Sequence, residues 1–370
     1  MKMKFILTLI GAAFSLAAYA AGTAVDSQQA EAGRVYVLSN KLENSVLVFN
    51  RASDGSLSFL EEVSTGGAGT DGTGDPLASQ GSIALRDDNK VLVAVNAASG
   101  DLTAFQVTDS GLKFGSKVAS GGFFPISVTI NEGLVYVVNR LGFPNIAGYT
   151  VSDTGELAPI AGSRRNLAGG PLSNAGQISF TPDGQELIVT EKGTNLIDVF
   201  NVLPSGQTEF RRAFLSRGIT PFGFAFGPAD SVIISEATGG LPMAATTSSY
   251  RIRSGGGLQR VSSAVPDNGT AACWVVVTGA TAWVVNTASA SISSYDVGND
   301  GSITLAQAVA ASTGDGTVPI DAAASSDNQF LYQVLSATGE IAVFAIDGVA
   351  LTPLSGVDGL PLSIQGIVAR

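Results

Sequence analysis

The chain has 370 residues, 45% of them apolar and 14% charged, with a net charge of −11. That is ample for a large core, and it excludes the clustered Lys and Arg that phosphate-backbone binding needs, so no nucleic-acid partner is expected. One cysteine and no histidine exclude an intrachain disulfide, histidine-ligated zinc, histidine general acid–base chemistry and both histidine-dependent nucleophilic triads.

Residues 1–20 read as a signal peptide. Lys2 and Lys4 begin it, Phe5–Ala18 is apolar, and Ala18-Tyr19-Ala20 is a small-x-small cleavage site. The apolar run is short for a membrane span, so export to the periplasm or beyond is expected. Residues 21–33 read as a polar leader, and 34–370 as one domain.

From there the chain repeats. Six-residue apolar runs recur as Val35–Asn40, Val91–Asn96, Leu134–Asn139, Glu186–Glu191, Ser231–Glu236, Thr281–Asn286 and Phe330–Leu335. Their spacing is roughly 50 residues. Another apolar run precedes most of them and a third follows each, with turns rich in Gly, Asp and Asn between. Four short strands per unit and seven units predict an all-β, seven-bladed β-propeller with four-stranded antiparallel blades. The third strands carry one aromatic each: Phe49, Phe105, Tyr149, Phe200, Tyr250, Tyr295 and Phe344. A fixed aromatic per blade predicts packing between blades.

The first strands, nearest the axis, read Gly81–Leu85, Ile126–Ile130, Gly176–Phe180, Phe222–Phe226, Cys273–Val277 and Ile320–Ala324. The unit at Val35 lacks one. Gln365–Ala369 at the chain end supplies it, so blade 1 closes with strands from both termini.

These repeats resemble the lactonase-type seven-bladed propellers, the family of 6-phosphogluconolactonase and the fungal carboxymuconate cyclases. The resemblance also rests on Gly67–Ser82, Thr220–Phe226, Ser235–Tyr250, Ala271–Thr278 and Pro319–Ala323. It covers nearly all of the chain after residue 20. It implies a lactonase-like hydrolase or isomerase acting on a lactone or sugar-acid-like small molecule. Active members resemble one another around an Arg-His pair leading into an inner strand. Gly176-Gln177 stands at that place here, while the family's glutamate is matched by Glu191.

Propeller ligands are expected at the channel mouth, where inner strands begin. Two rings of side chains converge there in the alignment. One ends the second strands and includes Asn96, Asn139, Glu191, Glu236 and Asn286. Glu191 and Glu236 are candidate acid–base groups, or holders of a divalent cation, calcium or magnesium. The asparagines either contact substrate or bond their own turns. The other ring leads the inner strands and includes Gln177, Trp274 and Asp321. Gln177 can hydrogen-bond a substrate but cannot act as a base. Asp321 sits in an apolar strand and either faces the channel or pairs between blades. Trp274 either stacks on a ligand or packs the core. Arg140, on a loop at this end, could hold an anionic group. Asp71 and Asp75 lie in a Gly-rich loop without calcium-loop or phosphate-loop spacing. Cys273 reads as a small buried residue. The expected partner is a small molecule, with the protein a monomer. The alternative is a non-catalytic propeller that binds a ligand or protein at the mouth.

Overall fold

The computed structural model describes residues 31–370; the expected signal peptide and most of the leader lie outside them. Seven antiparallel sheets follow one another around an axis. Blade 1 is ordered Ile367–Ala369, Glu31–Leu38, Ser45–Ala52, Leu57–Ser64 from the axis outward. The carboxyl-terminal strand therefore supplies the inner strand of the first blade, as the missing unit implied. The second strand of this blade begins at Glu31, inside the segment expected as leader.

The remaining second strands include Val91–Asn96, Glu186–Glu191, Ser231–Glu236, Thr281–Asn286 and Phe330–Leu335, with the bounds read from sequence. Every residue in them is buried, because each is flanked by strands of its own blade and covered on both faces by neighbouring blades. Continuous apolar runs suit that environment better than alternation. Blade 3 departs from the plan. Its outer edge is split into Leu157–Pro159 and Arg165–Asn166, both paired with Asn145–Val151.

The seven repeated aromatics are all at most 3% exposed. The Tyr149 hydroxyl donates to Ala119 O of the preceding blade at 2.6 Å, and Tyr295 likewise to Val265 O at 3.2 Å. They pack and latch blades together.

Closure is held by side chains as well as strands. Arg51 is 2% exposed. Its guanidinium donates to Arg370 O, Ala32 O and the Asp327 carboxylate of blade 7, at 3.2, 3.0 and 3.0 Å. One buried cation thus joins both ends of the chain and the last blade.

Candidate functional site

The second strands end on side chains that do not face the channel. Glu191 is fully buried and accepts from Gly169 N at 3.0 Å and from the Thr194 hydroxyl. Glu236 accepts from Gly218 N at 2.6 Å, Thr246 Oγ1 at 2.7 Å and Ser216 Oγ at 3.2 Å. Asn139 donates to Ser120 O, and Asn96 and Asn286 bond neighbouring strands. In each case a glycine of the loop arriving from the previous blade lies against the side chain. A Cβ on Gly169 would sit 2.3 Å from Glu191, and one on Gly218 2.0 Å from Glu236. The same holds for Gly67 with Asn96, Gly122 with Asn139 and Gly269 with Asn286. This ring clamps the interblade loops. The two glutamates do this with a longer reach, and both carboxylates are occupied by donors from the protein.

The residue that follows each of these side chains points to the axis instead, since one step along a strand reverses the side chain's direction. In blades 3 and 4 those residues are Arg140 and Lys192. Both grip the Gly-rich loop 66–82, which folds over the end of the channel where the inner strands begin. Arg140 Nη1 donates to Leu77 O at 2.5 Å, and Lys192 Nζ to Ala78 O. Trp274 Nε1 donates to Ser79 O at 3.1 Å, and Ser79 Oγ to Ile126 O at 2.8 Å. Gln80 crosses the axis, exchanging bonds with Val275 N and O at 3.1 and 2.8 Å. Trp274 is 1% exposed and packs on Phe222 with ring centroids 5.1 Å apart, so it anchors this loop.

Asp75 of the loop faces the two cations. Burial pushes Asp75 up to about 6, while the nearby Lys192 charge opposes this. Burial brings Lys192 down to about 8, against the pull of Asp75. Arg140 is lowered for the same reason. The expected mouth is therefore closed by its own loop. Sequence reasoning passed over Lys192, although Arg140 stands at the same offset one blade earlier. Cys273 lies beneath, its thiol pushed up to about 12 by burial, which makes it unreactive.

The open part of the channel is at the other end. A cavity of about 510 Å³ runs from Gln80, Gln177 and Asp321 down past the inner strands of blades 7, 1 and 2. Its walls are mostly small and aliphatic, including Ile83, Ala322 and Ile367, and Arg370 stands at the rim. Two residues singled out from sequence, Gln177 and Asp321, thus line one cavity.

Both also stitch inner strands together. The inner strands of blades 3 to 7 shift register near their starts, for instance between Ala175 and Ile178 and between Pro319 and Ala322. A bulge leaves ladder N–H groups to be satisfied by side chains. Gln177 Oε1 accepts from Phe224 N at 2.6 Å, and Asp321 Oδ2 from Gly81 N at 3.1 Å. Gln177 Nε2 is left for the cavity. Asp321 is 4% exposed. Burial pushes it up to about 7, against backbone N–H groups of Gly81, Ala322 and Ile367, and the Asp75 charge adds to the rise. Among the described residues no group of three His, Cys, Asp or Glu could hold a metal ion, and no helix is long and apolar enough to cross a membrane.

The family model described as Lactonase, 7-bladed beta-propeller, matches residues 26–166. No curated protein matches the sequence. Among solved structures, a candidate 6-phosphogluconolactonase of Bacteroides fragilis is 17% identical with a TM-score of 0.72, over 93% of this chain and 99% of that one. The periplasmic gluconolactonase of Pseudomonas aeruginosa is 16% identical with a TM-score of 0.71, over 90% and 98%. At these identities the likeness is one of fold.

Proposed function

Starting from a chain that folds as a lactonase-type seven-bladed propeller, we propose that it is an exported hydrolase of sugar-acid-type lactones that works in the open channel cavity. One observation carries this: a nearly buried carboxyl group, Asp321, lines that cavity with a pKa near neutrality. A base poised near the working pH is what proton transfer needs, and such a group costs stability that a purely structural clamp would avoid.

In the proposed reaction Asp321, as carboxylate, takes a proton from water while the water oxygen bonds to the lactone carbonyl carbon. Gln177 Nε2 donates to the carbonyl oxygen as charge develops there. The ring C–O bond then breaks, its oxygen takes the proton back from Asp321, and the open-chain hydroxy acid leaves. The lactonases named among the similar structures and the basic, apolar start at Lys2–Ala18 support the substrate class and export. Glu191 and Glu236 have no part in this scheme.

The second reading, a non-catalytic ligand-binding propeller, is favoured by Gly176-Gln177 standing where active relatives carry Arg-His. One experiment separates the two. Hydrolysis of glucono-δ-lactone and its 6-phosphate is followed by titration of released acid, for wild type and Asp321→Asn. A wild-type rate that rises with a midpoint near pH 7 and falls about 100-fold in the variant supports hydrolysis. Saturable lactone binding without turnover supports the second reading.

A further inference from the structure

Arg140 and Lys192 meet neutral oxygens at the closed end of the channel, not a carboxylate. Arg140 donates to Leu77 O, and its Cζ lies 4.9 Å from the centroid of the Phe124 ring. Lys192, 7% exposed, donates to Ala78 O, with Nζ 4.3 Å from the centroid of the Phe222 ring. Asp75 acts on both cations through space, but among the described residues no ion pair joins it to either. Its carboxyl accepts instead from Ala78 N of its own loop at 2.9 Å. The other carboxyl groups at hand are engaged or turned outward. Glu191 accepts from Gly169 and Thr194, Asp321 accepts from Gly81, and Asp71 is exposed. A guanidinium has five N–H donors and an ammonium three, so one carbonyl apiece leaves most of them unused by the protein. Two cations facing one carboxyl group also leave a positive charge uncompensated, which burial makes costly.

The segment that supplies the two carbonyls is built to move. Loop 66–82 joins blade 1 to blade 2, where 120–122, 216–220 and 267–271 make the corresponding joins elsewhere. A connection of such length without strands of its own is the kind that serves as a lid or binding loop. Asn40 holds Thr70 and Asp71 at one side of it, and Gln80 fixes the other. Between them, Gly74 has left-handed backbone at φ 76°, and a Cβ there would meet nothing within 4 Å. Ala78 also holds left-handed backbone, at φ 45°, which strains a residue with a Cβ. The contact with Lys192 holds that strained form closed.

We infer that residues 74–78 are a displaceable plug over a binding site for a small carboxylate with a compact apolar body. The ligand's two oxygens take Arg140 and Lys192 in place of Leu77 O and Ala78 O, and bring the negative charge that carbonyls lack. The body is apolar because lifting the plug withdraws the side chain of Leu77, which is 0% exposed, from the core. A sugar acid would set hydroxyl groups against that vacated apolar place. This site does not rest on the reaction proposed for Asp321.

The test uses 4-methylpentanoate, with its uncharged amide and gluconate for comparison. Affinity is read by calorimetry on the full chain, and plug opening by the rate at which subtilisin nicks 66–82. Wild type should bind 4-methylpentanoate and should be nicked faster in its presence; the amide should do neither. Asp75→Asn should bind about ten-fold tighter, because the closed loop then no longer sets its own carboxylate against the incoming one. Lys192→Met should bind at least ten-fold more weakly, and Asp321→Asn as wild type does. Equal binding of acid and amide, tighter binding of gluconate, or binding that survives Lys192→Met overturns the inference. So does an absence of binding in both wild type and Asp75→Asn. If a variant fails to fold, the wild-type nicking rates decide: no acceleration by the acid, or equal acceleration by the amide, also overturns it.

Discussion

At the residue scale, Asp321, the group given the proton transfer in the proposed reaction, carries a cost that can be measured. Its folded pKa of about 7 lies above the ordinary aspartate value of 3.8. A group raised in this way contributes stability that is fully present below its unfolded pKa and is lost as pH rises through about 7. The shift corresponds to a loss on the order of 4 kcal/mol from below pH 3.8 to above pH 7, rather more than half of it falling between pH 5 and pH 8. Asp321→Asn should flatten that pH dependence in denaturant titrations at pH 5 and pH 8. It should lower stability at pH 5, because an amide cannot accept on both sides from the N–H groups of Gly81 and Ala322. A variant as steep in pH as wild type would remove Asp321 as the titrating group. Glu191 is the contrasting case. Glu191→Gln should cost about 1–2 kcal/mol through the Gly169 and Thr194 bonds while lactone turnover stays within a few-fold. A hundred-fold loss of turnover at unchanged stability would return this glutamate to the mechanism.

At the element scale, loop 66–82 is held by two inward-facing cations, Arg140 and Lys192, and the terminal strand by one, Arg51. Lys192→Met removes the bond to Ala78 O. We expect faster proteolytic nicking within 66–82, with turnover unchanged if substrate enters from the open end. Turnover that climbs as the loop loosens would place entry at the closed end instead. For the terminal strand, deletion of 364–370 should abolish cooperative folding, since blade 1 would lose its inner strand. Arg51→Ala should cost about 3 kcal/mol, because it leaves Arg370 O, Ala32 O and Asp327 without their shared partner. A melting temperature equal to wild type in the truncated chain would mean that the ring holds without this closure.

At the scale of the whole molecule, stability rests on a closed ring with no covalent staple. Cys273 is 6% exposed and its thiol is held protonated. Reducing agent should leave the melting temperature unchanged, and a marked drop would reveal a disulfide between chains. The ring's two ends differ because one long loop, between blades 1 and 2, is folded over one of them.

The seven-fold repeat, the bounds of five second strands and the closure of blade 1 were legible in the sequence. Each depends on short-range patterns: an apolar run, a turn, a fixed aromatic, a unit missing at one end and present at the other. Gln177 and Asp321 were legible as candidates too, since polar residues in apolar inner strands stand out. Other decisions belonged to the tertiary structure. Asn96, Asn139, Glu191, Glu236 and Asn286 form a ring in sequence as in space, but a one-residue difference in strand phase decides between facing the channel and facing the neighbouring blade. The glycines that receive them come from another blade, 17 to 29 residues earlier. Lys192, Arg140 and Asp75 meet only because loop 66–82 crosses the axis, and no local pattern encodes where a loop of that length comes to rest. Which end of the channel is open follows from that single crossing. A repeat specifies its own strands; the contacts between distant loops that it leaves unspecified are those that decide which end of the channel stays open.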